Sequence, residues 1–264
     1  MARILITSWG SYGDVYPYVG LALALRELGH RPVIATAEFY RAFIESLRFA
    51  FHPAGPMIDP DDRELIARVL DPVRGSDVLL KGILMPAVRG DYAALDRAAR
   101  PGEHPLFEGQ FSPMLTLALF SRVLAEPQPD WPRNVRVTGF VFYNGPDVLA
   151  PELEAFLDAG PPPVVFTLGT SAVAAAGRFY EESVGAVRRL GHVARTVLPR
   201  QYRGARVAKE LERLLSDTSI AARAAGVAER VVSEGGAAVA AAAIQHACAT
   251  FVRGNANDSR HVSQ

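Results

Sequence analysis

Cysteine, lysine, net charge and long apolar runs are what this sequence has least of. Its 264 residues contain one cysteine, Cys248, which excludes an internal disulfide and fits a reducing compartment. Alone in an Ala-rich stretch, Cys248 reads as a small apolar side chain rather than a nucleophile. The 28 basic residues are balanced by 28 acidic ones, so bulk charge gives no reason to expect nucleic acid or an anionic membrane as a partner. Lys81 and Lys209 are the only lysines, an arginine bias that GC-rich coding explains as well as function does. The longest apolar run, Ala237 to Ile244, falls far short of the roughly 20 residues that cross a bilayer. The opening "MARILITSWG" reads as a strand rather than a leader. With 49% hydrophobic and 21% charged residues, the expectation is a soluble, cytoplasmic globular protein without a transmembrane segment.

Several catalytic signatures are also missing. No Gly-Lys-Ser/Thr follows a glycine turn, which excludes a P-loop, and no G-x-S-x-G elbow is present. The six histidines show no metal-ligand spacing. Asp59 and Asp61 form a D-x-D pair, but acids before a helix are more often caps than ligands, so no metal site is expected.

What is present is a βαβ pattern. Ile4 to Thr7 reads as a buried strand. Pro17 suits the first turn of a helix, whose apolar positions Val19, Leu21, Ala22, Leu25 and Leu28 follow at helical spacing. Gly29 ends that helix, and Pro32 to Thr36 is a second strand, so a parallel sheet follows. Further strands are expected at Phe49 to Gly55, Met114 to Phe120 and Val135 to Phe140. Helices are expected over 38–48, 61–70, 76–99 and Pro151 to Ala159. Three prolines at 161–163 break any regular element and mark a domain boundary. Beyond them, Val164 to Leu168 and Val193 to Leu198 read as strands, about Gly177 to Leu190 as a helix, and Gly204 to Thr250 as helices. The fold class is therefore α/β with a Rossmann-like parallel sheet. Two strands cannot sustain a second sheet, so the later half is incomplete or docks on the first.

Two glycine turns carry the chemistry. In "SWGSYGDVYP" a dinucleotide fingerprint fails because Tyr12 stands where a glycine must admit the pyrophosphate; Glu38, which could imitate a ribose-binding acid, does not rescue it. Gly10, Ser11 and Gly13 at a helix entrance suit an anion. Asp14 is either a helix cap or, at the carboxyl end of the first strand, a base that takes a proton from a bound hydroxyl. Gly169, Thr170 and Ser171 repeat the arrangement and suit a phosphate, or are an ordinary capped turn. Trp9 and Trp131 could line a cleft or simply pack.

"GSYGDVYPYVGLALALRELGHRPVIATAEFY" resembles the start of UDP-sugar-dependent glycosyltransferases of the two-domain GT-B fold. The branch is the bacterial one acting on sterols, macrolides and glycopeptide aglycones, with a family 28-type N-terminal domain and a G-S/T-x-G-D-V-x-P turn. "WPRNVRVTGF", "PPPVVFTLGTSA" and the stretch from Ala194 to Ile244 resemble the same family's linker, donor-domain entry and closing helices. The resemblance implies inverting transfer from a UDP-sugar to a hydroxyl of a lipophilic acceptor, without metal or resident cofactor. It implies Asp14 as base, with Thr170 and its neighbours on the donor phosphate. It also implies an acceptor-side domain over 1–145, a linker over 146–163, a donor-domain remnant over 164–250 and a polar tail over 251–264. The family's H-G-G-x-G-T-like loop and Asp-Gln pair are absent, so internal losses are expected near Arg100 and near Leu190 to His192. The alternative is a noncatalytic remnant that still binds an acceptor or partner.

Overall fold

A computed structural model describes residues 1–55, 62–69, 71, 74–84, 111–145, 149–159, 164–169, 176–190 and 203–261. The proline run, the Asp59/Asp61 pair and the expected strand at 193–198 lie outside them. Two compact units emerge: one joins Met1–Tyr143 with Arg230–Gln264, and the other is Asn144–Glu229.

In the first unit, β1 (Arg3–Thr7), β2 (Arg31–Thr36) and β3 (Ala50–Pro53) form a parallel sheet in the order β1-β2-β3. Leu5 lies opposite Val33, and Ile34 opposite Phe51. The central β2 is buried along all but its first residue, as a strand covered on both faces should be. β1 departs from the expected buried strand. It alternates, with Ile6 7% and Leu5 66% exposed, because at the sheet edge only one of its faces meets the core. A second parallel pair, β4 (Thr116–Ala118) and β5 (Val135–Val137), completes the α/β framework.

Helix α1 (Tyr12–Glu27) crosses from β1 to β2. Val15, Val19, Ala22 and Leu25 are almost fully buried, a stripe at helical spacing that faces the core. Gly29, at φ 80°, ends it: its N–H donates to the Arg26 carbonyl and that of His30 to the Leu25 carbonyl, the paired closure that needs a left-handed residue. The helix starts earlier than expected. Ser11 is its cap and Pro17 lies inside it. The bond that Pro17 cannot donate would have gone to the Gly13 carbonyl in the first turn, where the loss of one bond is cheapest. A short 3-10 turn (Glu38–Tyr40) leads into α2 (Arg41–Ser46); α3 (Arg63–Val69) and α4 (Gly75–Asp77), which widens into a π-helix over Val78–Leu84, follow β3.

The described elements of the second unit are helices: α5 (Pro151–Asp158), α6 (Phe179–Leu190), α7 (Gly204–Ser216) and most of α8 (Thr218–Ser233). Val207 and Leu211 of α7 pack with Ala186 of α6 in a small core. The expected strand at Val164 to Leu168 is not one; the segment is irregular, since an extended run needs a neighbour to take its hydrogen bonds.

The last helix, α9 (Gly236–His261), corrects the expected boundaries twice. It takes in 251–261 of the residues that read as a polar tail, and it belongs to the first unit, with Ala240 and Ala241 in the core beside α1. Alanines permit the close approach that bulkier residues would prevent. Its entry is clamped. Glu234 Oε1 accepts hydrogen bonds from Ser121 Oγ and the Arg122 N–H, both at 3.0 Å. A Cβ on Gly236 would stand 2.2 Å from the Phe140 carbonyl oxygen. Gly236→Ala is therefore expected to cost about 1–3 kcal/mol, the range for forcing atoms into a packed site. Urea unfolding checks this; an unchanged midpoint would show that the clamp does not hold α9.

Candidate functional site

Residues 8–11 join the carboxyl end of β1 to the first turn of α1, the place where open α/β sheets present ligands. Asp14 is the third residue of α1 rather than its cap. Its Oδ2 accepts the Ser11 N–H at 2.7 Å and the Ser11 Oγ–H at 3.0 Å, the reciprocal half of a capping box. Ser8 Oγ donates to the Asp14 carbonyl at 3.0 Å. Gly10 sits at φ 130°, and a Cβ there would lie 2.3 Å from Asp14 Oδ2. The first glycine of the turn thus makes room for the carboxylate.

This arrangement decides what the turn offers. The Ser11 amide and hydroxyl, which would meet an anion, already serve a carboxylate. A phosphate over Gly10, Ser11 and Gly13 would compete with Asp14 for donors and be repelled by its charge. The exposed Asp14 spends Oδ2 on the cap, while Oδ1 accepts no hydrogen bond among the described residues. One carboxylate can therefore cap the helix and still present an oxygen to a hydroxyl.

The surroundings are aromatic, which the sequence reading missed. Tyr12 packs against Tyr16, Phe39 and Tyr40 with ring centroids 5.3, 6.0 and 5.1 Å away, and Phe43 and Tyr143 continue the cluster beyond Tyr16. Phe39 remains 45% exposed. The available signal was the i, i+4 spacing of Tyr12 and Tyr16 facing the Phe39, Tyr40 and Phe43 run. Tyr40 is the structural member: 4% exposed, it donates its hydroxyl to the Gly10 carbonyl at 2.8 Å. Burial, with smaller contributions from Tyr12, Asp14 and Tyr16, pushes its phenol up to about 12.

Glu38 is not available to a ribose. Its carboxylate is gripped by the Arg41 guanidinium, including a 3.0 Å bond to Oε2, and that bond, with the Arg41 charge, holds it below the usual range despite some opposing desolvation. Of the two tryptophans, Trp9 lies against Gly55 and Trp131 edges onto Phe120, so both pack. On the donor side, Gly169 is in irregular chain, and Thr170 and Ser171 lie outside the described residues. No cluster of three metal-binding side chains occurs among the described residues, and no helix there is long and apolar enough to cross a membrane.

No protein-family model matches the chain. It is similar to O-mycaminosyltylonolide 6-deoxyallosyltransferase of Streptomyces fradiae, 25% identical over 262 positions that cover 64% of this chain and 61% of the relative. Those positions outnumber the residues that this chain brings to them, so much of the alignment runs opposite gaps in it. A sterol 3-beta-glucosyltransferase of Arabidopsis thaliana is 38% identical over 65 residues, 25% of this chain and 10% of the relative. The chain thus spans less than two thirds of the curated relatives it matches. Among solved structures, a Streptomyces sp. SF2575 glycosyltransferase complexed with thymidine diphosphate shares 33% identity over 24% of this chain and 17% of its own, with a TM-score of 0.21. The glycotransferase of kitacinnamycin covers 93% of this chain and 98% of its own, at 13% identity and a TM-score of 0.40.

Tyr40→Phe is expected to cost about 1 kcal/mol for the lost hydrogen bond. Because the phenol titrates higher when folded, the unfolded chain loses its proton first, near pH 10, and stability falls from there to about pH 12. The variant's unfolding free energy should decline less steeply than the parent's over that window; parallel curves would show that Tyr40 does not report its burial.

Proposed function

We infer that this chain, a relative of the nucleotide-sugar glycosyltransferases, moves a sugar from a UDP-sugar to a hydroxyl of a lipophilic acceptor. The observation that carries the reading is Asp14: a carboxylate at the carboxyl end of β1, one oxygen tied to Ser11 and the other unspent, beside partly exposed rings. Rings suit a flat apolar aglycone such as a sterol or macrolide. The macrolide and sterol transferases among the relatives favour the same acceptor class. Thymidine diphosphate in one solved neighbour favours a nucleoside diphosphate as leaving group. A cytoplasmic location fits a chain with one cysteine.

In the reaction, Asp14 Oδ1 accepts the acceptor's O–H proton as its oxygen attacks the anomeric carbon. The bond from that carbon to the diphosphate breaks with its electron pair on the departing UDP, and the configuration inverts. Gly169, Thr170 and Ser171 would meet the diphosphate through amides and hydroxyls, the preorganised charge stabilisation such a departure requires. No metal or resident cofactor enters.

A second reading has its own observation. α5 and α8 bury none of their described residues, and no strand occurs among the described residues of the second unit. A noncatalytic chain that keeps the acceptor side and has lost the donor side would look like this.

Calorimetric titration separates them. UDP binding together with transfer to a sterol or macrolide supports the enzyme; no UDP binding at millimolar concentration overturns it, and aglycone binding without UDP supports the remnant. If transfer is seen, Asp14→Asn should lower it about 100-fold or more, as loss of a general base does. Asparagine still offers Ser11 an acceptor, so stability and UDP affinity should hold. Equal loss of all three would make Asp14 a cap only.

A further inference from the structure

Away from the glycine turn, the first unit contains a cleft of about 410 Å³ where the chain entering β4 and β5 faces α9. That volume lies in the range of small-molecule sites. Its walls are apolar: Met114 and Leu115 before β4, Val135 in β5, and Ala243 and Ala247 on α9. Arg133, Arg136 and His246 complete the lining with Asn134 and Thr250, and no carboxylate contributes.

The neutral polar groups are already engaged. Asn134 Nδ2 donates to the Ser112 carbonyl at 2.6 Å, and Thr250 Oγ to the His246 carbonyl at 3.0 Å. The guanidiniums are not. Arg133 and Arg136 are exposed and make no side-chain hydrogen bond or ion pair among the described residues. By contrast, Arg41, Arg122 and Arg178 each sit on a carboxylate. Two unneutralised guanidiniums at an apolar cleft favour one ligand chemistry: an apolar body ending in a carboxylate or phosphate, which the planar donor forks match.

We propose that this cleft binds an anionic amphiphile, its apolar body against Met114, Leu115 and Ala247 and its anion on Arg133 and Arg136. None of these residues belongs to the Gly10–Asp14 turn or to the Gly169–Ser171 turn, so the site stands whether or not the chain transfers sugar. Because the arginines are at the surface, binding weakens as salt rises. The same chemistry could arrive as a free fatty carboxylate or as a lipid headgroup.

The test is calorimetric titration of the whole chain with decanoate and decanol at low ionic strength. Decanoate is expected to bind at least tenfold more tightly than decanol. The Arg133→Ala/Arg136→Ala double variant should abolish that preference while leaving decanol binding unchanged. Ala247→Leu, which fills the cleft without touching charge, should weaken both. Co-sedimentation with phosphatidylglycerol but not phosphatidylcholine vesicles, lost in the same double variant, would identify a lipid headgroup as the source; decanoate binding alone identifies a free amphiphile. Equal affinity for decanoate and decanol, an unchanged double variant, or an unaffected Ala247→Leu protein would each overturn the proposal.

Discussion

The first unit depends on the clamp between Gly139–Phe140 and Glu234–Gly236. Gly139, at φ 95°, lies so close to Glu234 that a Cβ would meet its side chain at 2.7 Å, and Glu234 ties the entry of α9 to Ser121 and Arg122. The Ser121–Glu234 bond joins chain positions 113 residues apart. It delivers Ala240 and Ala241 to the core that also buries Val15, Val19 and Leu25 of α1. Without it the far side of α1 would lose apolar cover, and burying each such side chain is worth roughly 1.5–3 kcal/mol. The base candidate stands on the first turn of that same helix, so the clamp holds the site in place from a distance.

Within the turn, the carboxylate that closes the capping box is also the proposed base. A cap contributes about 1 kcal/mol, whereas a positioned base lowers a barrier by considerably more. The two roles do not exclude each other, because Oδ2 faces Ser11 and Oδ1 does not. Holding one oxygen also fixes the direction of the other, which is what positioning a base requires. Gly10 and Tyr40 support the arrangement from below, one by having no side chain and the other by binding the Gly10 carbonyl. The cost falls on anion binding: the amide and hydroxyl that would have received a phosphate are occupied.

The second unit leaves apolar side chains uncovered among its described residues. α6 and α7 pack on one another, but α5 and α8 keep apolar residues such as Phe156 and Val227 at the surface, 65% and 40% exposed. Val165 is 71% exposed in a segment whose composition is that of a strand. Propensity there points to a sheet that the described residues do not supply.

Local pattern alone determined the βαβ start, the parallel pairing and the glycine stop at residue 29. Each rests on contacts within a few residues or on a periodicity that one side chain after another repeats. The start of α1 at Ser11 rather than near Pro17 followed from a hydrogen bond of Asp14, which a pattern of apolar residues does not register. Only tertiary structure decided that α9 belongs with the first unit, that Leu5 lies open while Ile6 is buried, and that rings from 12–16, 39–43 and 143 meet beside Asp14. It alone brought Arg133 and Arg136 to the same cleft as Ala247. Those outcomes depend on long-range packing, where the identity of the neighbour, not the residue's own preference, sets the free energy.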